Sequence, residues 1–124
     1  MSPDDVQDLF SEFGPVSVRR MFSGASIYAG GIAIAILNKG AIYLKVDEIN
    51  APDFDQEGLP PFTYKASTGM RVALSYRRMP DRLYDDPAEL AAWARAALDA
   101  ARRAAAGKGR PKTANPGRKK PRKR

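Results

Sequence analysis

Residues 32–46 read IAIAILNKGAIYLKV, and this stretch decides the fold. Apolar residues stand at every second position on both sides of Asn38-Lys39-Gly40, which is typical of two β-strands joined by a tight turn. With a period of two, each strand turns one apolar face towards a core that other elements must complete. The pattern places six residues on that core face: Ile32, Ile34, Ile36, Ile42, Leu44 and Val46.

The second face of the predicted hairpin carries mostly small side chains. It consists of Ala33, Ala35, Leu37, Ala41, Tyr43 and Lys45. Small residues let another surface approach closely, so we expect either a further segment of the chain or a second copy of the protein there. A homodimer is one of these two open alternatives.

Helical patterns flank the hairpin. Near the start of the chain, Ser2 and Pro3 have the arrangement of an N-cap followed by the first residue of a helix. Asp86, Pro87 and Glu89 predict the start of a longer helix. The apolar stripe of that helix consists of Leu90, Trp93, Ala94, Ala97, Leu98 and Ala101. Burial of both helices against the sheet would complete the core.

Shorter patterns fill the rest of the sequence. We predict a strand at 16–21, a turn within 22–26, a short strand at 27–28, a turn at 30–31, a short helix capped by Asn50, strands at 62–64 and 71–77, and a connection at 80–85. Together these elements indicate an α+β fold, a mostly antiparallel β-sheet flanked by N-terminal and C-terminal helices.

The composition excludes several classes of enzyme. The 124 residues include no cysteine and no histidine, which removes disulfides, thiolate and imidazole metal sites, and Ser-His or Cys-His catalysis. We therefore predict a protein that is not an enzyme, with no catalytic residue, no metal site and no cofactor.

Two acidic groups have structural interpretations. The first, which could be drawn as oxygen ligands of a metal ion, consists of Asp81, Asp85, Asp86 and Glu89. Because Asp86 and Glu89 suit the start of the last helix, we assign them to that role. Asp47 and Glu48 could form a carboxylate pair for acid-base chemistry, but nothing in the sequence indicates burial, so we interpret them as a solvated turn.

Positive charge is concentrated in the last residues. The formal charge is +7, but nine of the 21 basic residues lie in 108–124, where no acidic residue occurs. The nine are Lys108, Arg110, Lys112, Arg118, Lys119, Lys120, Arg122, Lys123 and Arg124. The rest of the chain, with 12 basic and 14 acidic residues, has a net charge of −2. We divide the chain into a folded domain at 1–106 and a disordered basic tail at 107–124.

The tail predicts contact with nucleic acid. Its cations can neutralise phosphates and release counterions, which gives binding to DNA or RNA without sequence preference. A solubility tail and contact with anionic lipid are the alternatives. Pro111, Pro116 and Pro121 disfavour the lipid alternative because they prevent a basic amphipathic helix.

Basic and aromatic residues of the body have structural interpretations as well. Arg19-Arg20 and Arg77-Arg78 could form a basic patch, but in a net acidic body we interpret them as a solvated edge that discourages strand pairing. The aromatic residues, interpreted as core or interface rather than as platforms for bases, are Tyr28, Tyr43, Phe62, Tyr64 and Trp93.

The sequence also bears on location. Met1 to Asp5 is acidic where a secretory signal needs positive charge. The longest apolar stretch, 25–37, is shorter than the roughly 20 residues that span a bilayer. We expect a cytoplasmic protein with no membrane partner, associated with the nucleoid through its tail.

Ordered pieces of the sequence from about residue 15 to 105 follow a known pattern. They are Arg20-Met21-Phe22-Ser23-Gly24 with Ile27-Tyr28, Leu44-Lys45-Val46-Asp47-Glu48 with Asn50, Glu57-Gly58-Leu59 with Pro61-Phe62-Thr63-Tyr64, Ser75-Tyr76 with Pro80, and Asp86-Pro87 with Trp93-Ala94. The pattern resembles the N-terminal domain of the TfoX/Sxy proteins, bacterial regulators linked to natural competence. Ser23 and Ser26 stand where that family usually has glycine. Larger members carry a second, C-terminal domain that resembles helical nucleic-acid-associated modules, where this sequence has its basic tail.

The resemblance implies an α+β domain and a regulatory role, and it brings no catalytic residues. We expect a non-enzymatic regulatory or protein-interaction domain linked to transcription or competence, with a protein partner in the transcription machinery. The alternative is a small-molecule-binding or enzymatic α+β domain with an incidental solubility tail.

Overall fold

The computed structural model describes residues 1–21 and 24–108, except the side chain of Lys108. Six strands form one antiparallel sheet in the order β1-β2-β3-β4-β6-β5. The strands are β1 (Ser17–Arg20), β2 (Gly24–Ala29), β3 (Ile32–Asn38), β4 (Ala41–Lys45), β5 (Pro61–Ala66) and β6 (Gly69–Arg78). The helices are α1 (Pro3–Leu9), α2 (Ala51–Gln56) and α3 (Pro87–Lys108), with a 3-10 helix (Asp81–Asp85) between β6 and α3. The predicted α+β class is confirmed.

The hairpin of β3 and β4 lies at the centre of the sheet. Its turn residues Lys39 and Gly40 have φ angles of 51° and 77°. Two left-handed residues are typical of a type I′ turn, whose twist matches that of the flanking strands. This turn pairs Leu37 with Ile42 across the strands. Paired residues share a face, and both of these side chains are buried in the core.

The predicted core face of β3 was wrong in its second half. Ile36 pairs with Tyr43 on the face away from the core, whereas Leu37, which the alternation placed outside, is buried. The reason is that a two-residue turn pairs even positions of β3 with odd positions of β4. Even-numbered residues of β3 near the turn therefore lie on the opposite face from even-numbered residues of β4.

A β-bulge in β3 explains why its first half nevertheless fits the prediction. Ile27 pairs with Ala35 and Tyr28 pairs with Ala33, so that Ile34 is an extra residue on β3. A bulge interrupts the strict alternation of side chains. Ile34 and Ala35 are consecutive and yet both fully buried.

The helices form one layer on the core side of the sheet. α3 packs against β3 and β4 and buries Leu90, Ala94, Ala97 and Ala101 of its predicted stripe. The contacts that join the other helical segments to α3 are Phe54 of α2 with Trp93, Phe13 beyond α1 with Arg95, and Arg82 of the 3-10 helix with Glu89. In the part of the chain that the structure describes, all helical segments therefore cover the same side of the sheet.

The predicted helix starts are confirmed. The Ser2 hydroxyl accepts a hydrogen bond from the Asp5 N–H at 3.2 Å, and the Asp5 carboxylate accepts one from the Ser2 N–H at 2.9 Å. These reciprocal bonds hold the pKa of Asp5 below its usual range, chiefly through the Ser2 backbone N–H. At α3, the Asp86 carboxylate accepts from the Glu89 N–H at 3.1 Å.

The start of β2 differs from the prediction. Residues Gly24, Ala25 and Ser26 belong to the strand, and Ala25 pairs with Arg20 on one side and Leu37 on the other. The other two residues of the predicted turn, 22 and 23, lie outside the described residues. At Gly24 the neighbouring strand leaves no room for a side chain. A Cβ atom on Gly24 would overlap the Leu37 carbonyl oxygen.

Asn50 was predicted to cap α2, and its side chain has another role. The Asn50 side-chain oxygen accepts from the Asp47 N–H at 2.8 Å, and its amide donates to the Lys45 carbonyl at 3.1 Å. The residue is 5% exposed, so these bonds satisfy a buried amide and fix the exit of β4.

The predicted connection at 80–85 contains the 3-10 helix. Leu83 anchors it in the core. The Tyr84 hydroxyl accepts a hydrogen bond from the Ile42 N–H at 2.8 Å. This bond satisfies the backbone N–H of Ile42, which precedes the part of β4 that pairs with β6.

The hairpin of β5 and β6 pairs with the rest of the sheet only at its base. In β6 only Tyr76, Arg77 and Arg78 pair with β4, while Arg77 and residues 69–73 pair with β5. Alternation predicted one face for Val72, Leu74 and Tyr76. However, Val72 and Leu74 are 54% and 76% exposed, because β4 does not extend far enough to pair with their part of β6.

The register of the central hairpin can be tested with two neighbouring substitutions. Leu37→Ala should lower the free energy of unfolding by about 2 to 5 kcal/mol, since it removes a buried side chain from a packed core. Ile36→Ala should cost less, because Ile36 lies on the opposite, partly solvated face. Urea unfolding followed by circular dichroism measures both. A larger loss for Ile36→Ala would contradict the register.

Candidate nucleic-acid interface

The side of the sheet away from the helices, which we call the helix-free face, carries every second residue of the strands. One row across the sheet pairs Arg19 with Ser26, Ser26 with Ile36, Ile36 with Tyr43, and Tyr43 with Arg78. A second row includes Tyr28, Lys45 and Tyr76. None of these residues is acidic, and tyrosine is the commonest among them.

Cations of the helix-free face lie over its aromatic rings. The Arg19 guanidinium is 5.3 Å from the centroid of the Tyr28 ring, and the Lys45 ammonium is 4.9 Å from that of Tyr76. Such contacts keep a positive charge beside a ring face without neutralising it. Burial raises the pKa of the Tyr76 hydroxyl, so this phenol is neutral at physiological pH.

A groove of about 670 Å³ opens between the helix-free face and the β5–β6 hairpin. Phe62 contacts Tyr43 at a centroid distance of 5.0 Å and stacks on Tyr64 at 5.9 Å, with 17° between the two ring planes. The residues that line the groove include Ile36, Lys39, Phe62, Tyr64, Lys65 and Met70. Tyr64 is 45% exposed, and the buried Phe62 supports its ring from one side. The groove thus has a supported aromatic ring and two lysines among its lining residues.

Charge is segregated between the two layers. The six strands contain seven basic residues and no acidic residue. All 14 acidic residues lie in the helices or in the connections outside the strands. The net charge of −2 therefore combines a basic sheet with an acidic helical layer.

The arginine pairs of the sequence analysis do not form one patch. Alternation sends Arg19 and Arg78 to the helix-free face and Arg20 and Arg77 to the other. Arg77 donates to the Leu59 carbonyl at 2.8 Å and pairs with Asp55 at 3.0 Å. Arg19 and Arg78 lie on β1 and β6, with three strands between them. At about 4.8 Å per strand, they are roughly 19 Å apart.

The acidic group at the start of α3 has structural partners: Asp81 pairs with Arg78 at 3.6 Å, and Glu89 lies in an ion-pair cluster around Arg82. Arg82 binds Glu57 at 2.6 Å and Glu89 at 2.7 Å, and the Trp93 indole N–H donates to Glu89 at 3.3 Å. Hydrogen bonds from Arg82 hold the pKa values of both glutamates below their usual range. Glu89 thus bridges the 3-10 helix and α3 rather than completing a reciprocal cap. No cluster of three acidic side chains suited to a metal ion occurs among the described residues.

The second acidic group, Asp47 and Glu48, is also structural. The interpretation as a solvated turn fits only Glu48. Glu48 is exposed. Asp47 binds Arg103 of α3 at 2.6 Å and accepts from the Ile49 N–H at 3.0 Å. The hydrogen bond from Arg103 lowers the pKa of Asp47. The Asp47 carboxylate is therefore held ionised in an ion pair between layers.

The predicted tail contacts fall almost entirely outside the described residues. α3 continues through Gly107 to Lys108, which is two residues beyond the predicted end of the domain. The other eight basic residues of the tail lie in 109–124, so their contacts stay a prediction. Of the helices that the structure does describe, none has both the length and the apolar character to cross a membrane.

The sequence analysis missed the groove. Tyr64 was assigned to core or interface, and Lys39 and Lys65 were not considered. The available signal was the absence of acidic residues from every strand. It becomes visible only when charges are counted by element rather than over the whole body.

The Arg82 cluster makes stability depend on pH. The pKa values of Glu57 and Glu89 are lower in the folded state, so their contribution is fully present above their unfolded pKa, about 4.3, and is lost as pH falls through the folded values. Arg82→Gln should make acid unfolding begin at higher pH. Arg102→Gln, an exposed change in α3, should leave the acid transition in place. Circular dichroism during acid titration measures both, and coincident transitions for Arg82→Gln and the parent would refute this role of Arg82.

Comparison with known proteins supports the family indicated by this architecture. Residues 8–101 match the family model of the TfoX N-terminal domain. The matched range begins within α1 and ends within α3, and it contains all six strands. No curated protein matches the sequence. The chain belongs to the family of TfoX N-terminal domains.

Proposed function

We propose that this protein is a non-catalytic regulatory domain that contacts nucleic acid through positive charge. In this proposal the basic residues of 108–124 give non-specific contact with DNA or RNA, and a protein partner directs the domain to its target. A regulatory role in transcription or competence is consistent with the family. Such a protein would act in the cytoplasm, at the nucleoid.

The segregation of charge between the layers is the observation that carries the proposal. A polyanion is repelled by the acidic helical layer and attracted by the basic strands and the basic segment 108–124. The positive charge of the strands and that of the sequence 108–124 both favour contact with nucleic acid. The acidic helical layer is left for a partner with a basic surface.

The ionisation of the acidic groups supports a function in binding rather than in catalysis. A general acid or base works best when its pKa lies near the working pH. The described carboxyl groups with a perturbed pKa are Asp5, Asp47, Glu57 and Glu89, and in each the pKa is lowered by a hydrogen bond. These groups are held ionised by structural partners.

Two further parts of the proposal have specific support. The exposed Val72 and Leu74 give the β5–β6 hairpin an apolar outer surface, which is suited to a homodimer. The groove of about 670 Å³ is within the size range of small-molecule sites. A small-molecule-binding domain is therefore the second candidate function, and native mass spectrometry that retains a metabolite would support it.

The contribution of the tail is tested by removing its charge. Replacing Arg118, Lys119, Lys120, Arg122, Lys123 and Arg124 with glutamine should abolish most binding to duplex DNA. For the unmodified chain, the logarithm of the affinity should fall with that of the salt concentration, with a slope of about −0.9 per phosphate contact. Fluorescence anisotropy with random-sequence duplexes at several salt concentrations measures both.

A shuffled tail is the matched control. A chain with the residues of 108–124 in another order keeps the charge and should bind as tightly as the parent, because this contact does not read base sequence. Loss of affinity on shuffling would show that the order of residues matters. No binding of the unmodified chain at low salt would refute the nucleic-acid proposal.

A further inference from the structure

The groove beside the β5–β6 hairpin has the chemistry of a site for unpaired bases. Sequence-tolerant binding of single strands combines a positively charged groove with aromatic rings on which bases stack. Here Tyr64 supplies an exposed ring, and Lys39 and Lys65 supply charge at the same groove. Among the described residues, none that lines the groove carries a carboxylate.

The ring of Tyr64 is held in place before any ligand binds. It stacks on Phe62, which in turn contacts Tyr43 of the central hairpin. Phe62 is buried, so the stack is fixed to the sheet and only its outer end meets solvent. A fixed ring loses little conformational entropy when a base stacks on it.

The two lysines are available to phosphates. Both are exposed and lie in turns or strands at the rim of the groove, and neither forms an ion pair with a carboxylate of the described residues. Lys39 is fixed by the left-handed turn of the central hairpin, and Lys65 follows Tyr64 in β5. Because consecutive residues of β5 point to opposite faces, Lys65 would meet a phosphate at the rim of the groove rather than directly beside the Tyr64 ring.

A second copy of the protein fits the groove less well than a polyanion does. In a two-fold symmetric dimer through this groove, Lys39 and Lys65 of each copy would approach those of the other. Like charges brought together in this way oppose association. A duplex is also disfavoured, because its bases are stacked on each other and offer only their edges.

We propose that this groove binds single-stranded nucleic acid, with a base stacked on Tyr64 and phosphates at Lys39 and Lys65. The inference rests on the proposed function and deepens it, because it gives the folded domain a contact distinct from that of the tail. The domain contact prefers unpaired strands, whereas the tail contact is indifferent to pairing.

The test uses the full chain with the six tail substitutions described above, so that the tail contributes little. Its binding to an oligothymidine of about 12 nucleotides, a length within the range of one stacking domain, is compared with binding to a duplex of equal length by fluorescence anisotropy. The single strand should bind more tightly. Equal or tighter binding of the duplex would overturn the inference.

Substitutions in the groove locate the contact. Tyr64→Ala should weaken single-strand binding about 5- to 150-fold, the value of one stacked base, and Tyr64→Phe, which keeps the ring, should lose much less. Ile49→Ala, an exposed apolar change away from the groove, is the control and should leave affinity unchanged. Circular dichroism melting verifies that each variant is folded.

A matched pair of charge changes tests the phosphate contact. Lys65→Gln should lower the salt slope for single strands by about 0.7, whereas Arg102→Gln, which removes one positive charge from the helical layer, should not. Equal effects of these two changes, or unaltered binding by folded Tyr64→Ala, would overturn the inference. A change in sedimentation mass with Tyr64→Ala would instead assign the groove to an interface between copies, which also overturns it.

The two proposals fail separately. If the unmodified chain binds duplex DNA but the tail-substituted chain does not bind single strands at low salt, the groove inference is overturned and the tail contact stands. If the tail-substituted chain binds single strands as tightly as the unmodified chain and loses this with Tyr64→Ala, the groove contact stands and the tail assignment falls.

Discussion

The register of the β3–β4 hairpin is the constraint on which the rest of the structure depends. The left-handed turn at Lys39 and Gly40 pairs Leu37 with Ile42 and Ile36 with Tyr43. The first pair supports the packing of α3, and the second pair opens onto the side without helices. A shift of one residue would exchange these faces. The same turn that closes the core therefore also positions the aromatic and basic side chains of the opposite face.

Much of this fold follows from local patterns, and the errors have a common cause. The caps at Ser2 and Asp86 and the stripe of α3 could be predicted because each depends on residues a few positions apart. The face of Ile36 could not, because it depends on a turn and on a bulge at Ile34, where strict alternation breaks. Asn50 was misassigned for a similar reason, since its partners lie before the helix rather than within it.

The candidate site could not be predicted from the net charge, because that charge is a sum over the whole body. A net charge of −2 over the body argued against a basic surface, although every acidic residue lies outside the strands. The helical layer holds its carboxylates in ion pairs such as Arg82 with Glu57 and Asp47 with Arg103. Those pairs neutralise part of the negative charge of the helices and connections, and the strands contain no acidic residue. The acidic residues thus all lie in the helices and connections, whereas the charged residues of the strands are all basic.

The central claim is that, within the folded domain, nucleic acid meets the strands rather than the helices. Amide ¹H–¹⁵N correlation spectra of the full chain, recorded with increasing oligothymidine, test it most directly. The account predicts saturable shifts at residues around the groove, such as Ile36, Tyr64 and Lys65, and unchanged positions for amides in the middle of α3. Shifts confined to 108–124, or centred on α2 and α3, would contradict it.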